Sequence, residues 1–194
     1  LYAAESRGFH IAETKASSAG PVSVNPLLPK AVERIDELYH SDNALTGLST
    51  GFTDLDGITA GLQPADLVII AGRPSMGKTT FAMNIVENAV IAGEKPVIVF
   101  SLEMPGDSLV MRMLSSLGRI DQTKIRSGQL DDDDWPRLTS AVSLLKDKPL
   151  FVDDTPSISP NEMRSRSRRI AREHGSPSLI MVDYLQLMQV KDKS

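Results

Sequence analysis

Apolar positions follow different rhythms along this chain, and the change of rhythm divides it. Leu28, Val32, Ile35 and Tyr39 recur at helical spacing, with Ala31 and Leu38 beside them, while Lys30, Glu33, Arg34 and Glu37 hold the other face. This spacing predicts a short amphipathic helix over residues 28–40. Before it, Glu13 to Asn25 is mostly Ala, Ser, Gly, Pro and Val without period, a composition that buries too little surface to order itself and so reads as a linker. An amphipathic helix between loose segments has no core of its own. Its apolar stripe must dock either on its own domain or on a neighbouring subunit, and the pattern does not choose between them.

From Thr46 the pattern becomes one of strands alternating with helices. Leu67 to Ala71 is a continuous run rich in β-branched residues and predicts a buried strand. Thr79 to Ala92 carries Phe81, Ile85 and Ala89 at helical spacing, and Gly93 supplies a stop. Pro96 to Ser101 and Leu150 to Asp153 read as strands, Asp107 to Leu117 and Asp131 to Lys146 as helices. Ser159, Pro160 and Glu162 form a capping box with proline in the first turn, opening a helix that ends near Gly175, and Leu179 to Val182 is the last strand. Strands apolar on both faces, separated by helices, imply right-handed crossovers and a mainly parallel sheet covered by helices, an α/β fold.

Composition narrows this picture. The 194 residues are 41% apolar with net charge −4, enough for one core. Absence of cysteine excludes disulfides and thiolate metal sites, three scattered histidines offer no zinc spacing, and a reducing cytosol is the expected compartment. The apolar runs are too short to cross a bilayer, so no membrane association is expected. The mild acidity argues against a wholly basic nucleic-acid footprint but leaves room for basic loops lining a channel. The chain opens at Leu1 and stops at Ser194 soon after a strand-like run, and it is expected to be cut at both ends.

The strongest chemical signal is Gly72-Arg73-Pro74-Ser75-Met76-Gly77-Lys78-Thr79, with Thr80 next, set between a predicted strand and a helix start. Glycines let the backbone turn successive N–H groups toward phosphate oxygens, and the positive end of the following helix faces the same anion. Lys78 is the expected partner of the β- and γ-phosphates, and the Thr79 hydroxyl is placed for Mg²⁺. Glu103 follows the strand ending at Ser101 and falls at the carboxyl edge of the sheet, where a carboxylate can deprotonate the water attacking the γ-phosphate; the competing reading is a solvated loop glutamate. Two apolar runs end in aspartate, at Asp153 and Asp183, and spacing alone does not choose the second magnesium-side carboxylate. The longer run before Asp183, with Gln186 following as a polar residue able to sense phosphate or contact DNA, favours Asp183. Arg164, Arg168 and Arg172 share a helical face with Arg166 and Arg169 nearby; a solvated face ion-paired with Glu162 and Glu173 is preferred to a DNA-binding stripe. Asp131 to Asp134 read as helix capping rather than a metal site.

Taken in order, Thr46-Gly-Leu-Ser-Thr-Gly-Phe-Thr-Asp-Leu-Asp56, Ala60-Gly-Leu-Gln-Pro64, Gly72 to Thr79, Ser101-Leu-Glu-Met104, Lys124-Ile-Arg-Ser-Gly-Gln-Leu130 and Val182-Asp-Tyr-Leu-Gln186 resemble the bacterial replicative helicases of the DnaB family. The resemblance implies a linker over residues 1–45 and an incomplete RecA-like, P-loop ATPase motor over residues 46–194, truncated on its C-terminal side. It implies ATP and Mg²⁺ as ligands, Lys78 and Glu103 as catalytic residues, Gly72 to Thr80 and Gln186 around the nucleotide, and Thr79 and Asp183 at the metal. It also implies that the 28–40 helix packs on an adjacent subunit in a homohexamer that encircles single-stranded DNA at the fork and works with primase and a loader. Family members carry an amino-terminal collar, DNA-gripping loops and a trans arginine finger outside this stretch. A recombinase or clock-type ATPase of the same fold, or a passive nucleotide-binding interaction module, are the alternatives.

Overall fold

The structure, a computed structural model, describes residues 23–40, 45–185 and 188. Most of the expected linker, Glu13 to Asn25, lies outside them, as does Gln186. The described helices are α1 Leu28–Tyr39, α2 Thr53–Thr59, α3 Lys78–Ala92, α4 Gly106–Gly118, α5 Gln122–Ser127, α6 Asp134–Leu145 and α7 Pro160–His174; the strands are β1 Val97–Ser101, β2 Leu150–Asp153 and β3 Leu179–Asp183.

The described residues divide into two compact units, with the boundary between positions 43 and 44. In the first unit, α1 forms as its periodicity predicts. It starts with proline in the first turn, where a missing N–H costs nothing, and all its residues are exposed, Val32 and Ile35 by 63% and 65%.

In the second unit, β1 lies between β2 and β3 and pairs in parallel with both. All five of its residues are buried, because a central strand with helices on both faces has no polar side to present. Successive side chains point to opposite faces. Val97 and Val99 meet Met83, Val86, Ala89 and Val90 of α3 and Leu109 and Met113 of α4, whereas Ile98 and Phe100 meet Ile158 and Met163 at the start of α7. The α/β arrangement with a parallel sheet is therefore the one expected. The capping box is also present: the Ser159 hydroxyl accepts from the Glu162 N–H at 3.3 Å and the Glu162 carboxylate from the Ser159 N–H at 2.9 Å.

Three features depart from expectation. Leu67 to Ala71 forms no strand. Leu67, Val68 and Ile69 are 81%, 56% and 68% exposed, and no described strand pairs with them. Both edges of β1 are already taken by β2 and β3, so the only ladder positions left lie on outer strands, and β propensity without a partner strand does not make a strand. Next, the segment after Thr46, to which the apolar pattern assigned no individual element, holds a bridge, Leu48 to Leu62, and the helix α2. It is anchored on α3 by the tilted Phe52–Phe81 ring pair, 5.0 Å between centroids, and by Asn88 Nδ2 donating to the Thr50 carbonyl at 2.8 Å. Finally, α6 starts at Asp134 rather than Asp131. The Asp134 carboxylate turns inward to Lys124 Nζ at 2.9 Å and accepts the Asp131 N–H at 3.1 Å, and Lys124 also meets Asp131. Lys124 stands on α5, a helix that the periodicity did not predict but whose ends are marked by Asp121, accepting the Thr123 N–H, and by Gly128.

One buried carboxyl sits in this packing. Glu87 of α3 is 5% exposed and accepts hydrogen bonds from Ser116 Oγ of α4 at 2.8 Å and from Asn84 Nδ2 at 3.2 Å. Burial pushes its pKa up, and the two donors only partly offset this. A carboxyl raised in the folded state binds its proton more tightly there than in the unfolded chain, so the fold loses stability as pH rises through the interval between the two values. Glu87→Gln, which keeps an oxygen for both donors, is expected to raise the melting temperature at pH 7. The gain should shrink toward zero below the ordinary glutamate range. Thermal melts of both proteins from acid to neutral pH check this, and a gain that is constant with pH would refute it.

Candidate nucleotide site

Parallel pairing carries the carboxyl ends of the three strands to one edge of the sheet, where ligands of open α/β folds bind. Ser101 at the end of β1 is directly opposite Asp183 at the end of β3, and Phe100 is opposite Asp153 of β2. The Gly72–Gly77 loop leads into α3 at the same edge. Gly77, the residue before the helix, has φ +83°, a left-handed conformation that a side chain disfavours, and it redirects the backbone into the first turn. Ser75 shares this region at φ +63°.

Lys78 folds back over the loop, its ammonium donating to the carbonyls of Gly72 at 2.9 Å and Arg73 at 3.2 Å. Arg73, Pro74, Ser75, Met76 and Thr80 are exposed around it. The Thr79 hydroxyl donates to Asp183 Oδ2 at 2.9 Å, joining positions 104 residues apart. Asp183 itself is 8% exposed.

The two strand-end aspartates are thereby told apart. Asp153 is engaged elsewhere: Arg166 Nη1 of α7 donates to both its oxygens, at 2.8 and 2.6 Å, and to Thr155 Oγ1 at 2.7 Å. Partial burial would raise the Asp153 pKa, but the Arg166 hydrogen bonds and those from Thr155 outweigh it and hold the carboxyl below its usual value. Arg166 crosses to β2, the Glu162 carboxylate serves the capping box, and Glu173 lies 3.9 Å from His174 Nε2. Arg164 and Arg168 flank an apolar groove lined by Phe100, Met163 and Ile180.

Glu103 stands exposed on the turn between β1 and α4, and its carboxylate has no hydrogen-bond partner among the described residues. The turn beneath it is tightly held. Ser101 Oγ donates to the Met104 carbonyl at 2.6 Å and accepts the Met104 N–H at 3.3 Å, and the Leu102 N–H donates to the Asp183 carbonyl at 2.7 Å. Periodicity and motif spacing did not reveal Asp154, whose carboxylate reaches the start of α4; the doubled Asp153-Asp154 at a strand end was the available signal.

Comparison with known proteins agrees with this geometry. The family model described as the DnaB-like helicase C-terminal domain matches residues 47–194. The chain is 56% identical over 191 residues to the replicative DNA helicase DnaB of Haemophilus influenzae, covering 96% of this chain and 41% of that protein. It is 41% identical over 194 residues to the replicative DNA helicase DnaC of Bacillus subtilis, covering 100% of this chain and 42% of that protein. It thus spans well under half the length of these relatives. Among solved structures, an ATPase domain superposes with a TM-score of 0.79 at 30% identity, over 90% of this chain and 62% of that one. A DnaB-like replicative helicase whose structure was described with its interactions with primase superposes with a TM-score of 0.78 at 30% identity, over 95% of this chain and 45% of that one. The fold is accordingly RecA-like, and no described helix is long and apolar enough to cross a membrane. With the phosphate-type loop, the strand-end carboxylates and a family match over most of its length, the chain belongs to the DnaB-like helicase C-terminal domain family.

Proposed function

We propose that this chain supplies the ATP-hydrolysing motor of a hexameric replicative DNA helicase. On this reading residues 46–194 are part of the motor and residues 1–45 are the linker. The observation that carries the site is the 2.9 Å bond between the Thr79 hydroxyl and the Asp183 carboxylate, which brings the helix start and the strand end together.

The residues fit a nucleotide with a hard divalent cation. Thr79 and Asp183 offer adjacent oxygen donors of the kind Mg²⁺ prefers, directly or through water. Mg²⁺ bound there would offset charge on the transferred phosphoryl group. Backbone N–H groups of residues 75–80 and the positive end of α3 receive the phosphates. Lys78 now rests on two neutral carbonyls, and a phosphate oxygen is the stronger, charged acceptor for its ammonium. Glu103, with a carboxylate uncommitted to any described group, takes the proton from the attacking water. Gln186 follows Asp183 closely in sequence and is assigned as a phosphate or DNA sensor.

The relatives' names support DNA under replication as the track, and the neighbour described with its interactions with primase supports primase as a partner; single-stranded DNA at the fork, a loader and a cytoplasmic setting rest on the motif resemblance. The exposed apolar stripe of α1 supports docking on an adjacent subunit. In the full-length protein, ATP hydrolysis is expected to be stimulated by single-stranded DNA and abolished by Lys78→Ala. Glu103→Gln should retain nucleotide binding while kcat falls by about 10² or more. Hydrolysis indifferent to DNA would instead indicate a regulatory ATPase of the same fold. A 194-residue protein of this sequence, which spans well under half the length of its relatives, is expected to bind nucleotide with weak or no hydrolysis and no unwinding when no neighbouring subunit supplies an arginine to the transition state; DNA unwinding by this purified protein would contradict this.

Assembly has its own test. Replacing Ile35, 65% exposed on α1, by Asp places a charge in the stripe and should dissociate the oligomer in concentration-dependent mass measurements. An oligomer unchanged by Ile35→Asp would rule out docking through α1.

A further inference from the structure

Among the described residues the Glu103 side chain has no hydrogen-bond partner, so whatever holds the turn from Leu102 to Pro105 sets where its carboxylate stands. At its start this turn is fixed to β3 by the Leu102 N–H, and Ser101 Oγ of β1 closes it across Glu103 onto the N–H and carbonyl of Met104. The other end is the first residue of α4. The residue before that helix is Pro105, which provides no side-chain cap. The acceptor comes instead from 48 residues further along: Asp154 Oδ2 receives the Gly106 N–H at 2.8 Å. The approach is close. A Cβ on residue 106 would stand 3.3 Å from Val152 Cγ1, close enough that the valine would have to give by a few tenths of an ångström, and 3.5 Å from Asp154 Oδ2, an ordinary contact. Asp154 is available for this because its neighbour Asp153 is the one bound to Arg166.

We propose that Asp154 is a positioning residue for Glu103, fixing through the Gly106 N–H the turn on which the general base stands. A carboxylate accepting from a helix's first N–H is favoured both by its charge and by the helix dipole. With the bond made, the turn is tied to all three strands. Without it, the turn keeps the Ser101 bonds to Met104 and the Leu109 N–H on the Pro105 carbonyl but loses its tie to the end of β2, and small displacements of a proton acceptor cost rate steeply. The loop residues that grip the phosphates, Lys78 and Thr79, are bonded to Gly72, Arg73 and Asp183 and do not depend on this contact. The proposal therefore separates rate from affinity. It rests on the reading of Glu103 as the base.

The test uses the full-length protein, with DNA-stimulated kcat and the dissociation constant for ATP with Mg²⁺ measured side by side. Asp154→Ala should lower kcat about tenfold with affinity changed less than about twofold. Asp154→Asn, which keeps an oxygen for the Gly106 N–H, should recover most of the rate. In a Glu103→Gln background Asp154→Ala should add no further loss, since the group being positioned is gone. The proposal is overturned by unchanged kcat in Asp154→Ala, by a parallel loss of affinity, by failure of Asp154→Asn to recover the rate, or by an additive loss in the Glu103→Gln background. The two readings fail separately: a fully active Glu103→Gln removes the base assignment, whereas an inactive Glu103→Gln beside a fully active Asp154→Ala removes the positioning alone.

Discussion

The parallel pairing of β1 with strands on both sides is the constraint from which the site follows. Because β2, β1 and β3 run the same way, their last residues share an edge, and Asp183 comes opposite Ser101. The hydrogen bond between Thr79 and Asp183 is weak beside the packing that permits it. Met83, Val86, Ala89 and Val90 of α3 are at most 3% exposed, and full burial of such side chains is worth about 1.5–3 kcal/mol each for the larger ones. That burial against Val97 and Val99 holds α3 on the sheet and sets its first turn against the end of β3. The polar contact then reports on the geometry that the apolar core has already imposed.

Much of this was legible in the chain. Helical periods located α1, α3, α4 and α7 to within a residue or two, and β1, β2 and β3 came from short apolar runs between breakers. The capping box was read atom for atom, because its signal is local. Non-local consequences were not legible. Leu67 to Ala71 has the composition of a buried strand, yet strand formation depends on a partner edge that composition does not report. Asp131 to Asp134 read as capping, and the inward turn of Asp134 to Lys124 depends on where α5 places that lysine, a tertiary choice. The family relationship, in contrast, was carried by the order and spacing of several motifs at once, and the family match supports the helicase over the recombinase and clock-type alternatives.

Asp153, Asp154 and Asp183 show how far residue type falls short of role. All three stand at or just past the carboxyl ends of parallel strands in one sheet, and their intrinsic acidities are alike. What separates them is the element each one meets. α7 presents Arg166 to the end of β2 and neutralises Asp153 with a two-oxygen contact. Asp154, one residue on, meets the first N–H of α4. Asp183, across β1 on the opposite outer strand, is left with the Thr79 hydroxyl as its side-chain partner, which neither neutralises it nor fills its coordination capacity. A carboxylate already paired to a guanidinium would have to give up that partner to meet a cation, whereas one that, among the described residues, accepts from a hydroxyl alone keeps its charge for it. On the proposed reading, the arginine of α7 thus contributes to the nucleotide site without approaching it: by occupying Asp153, it would leave the magnesium side to Asp183.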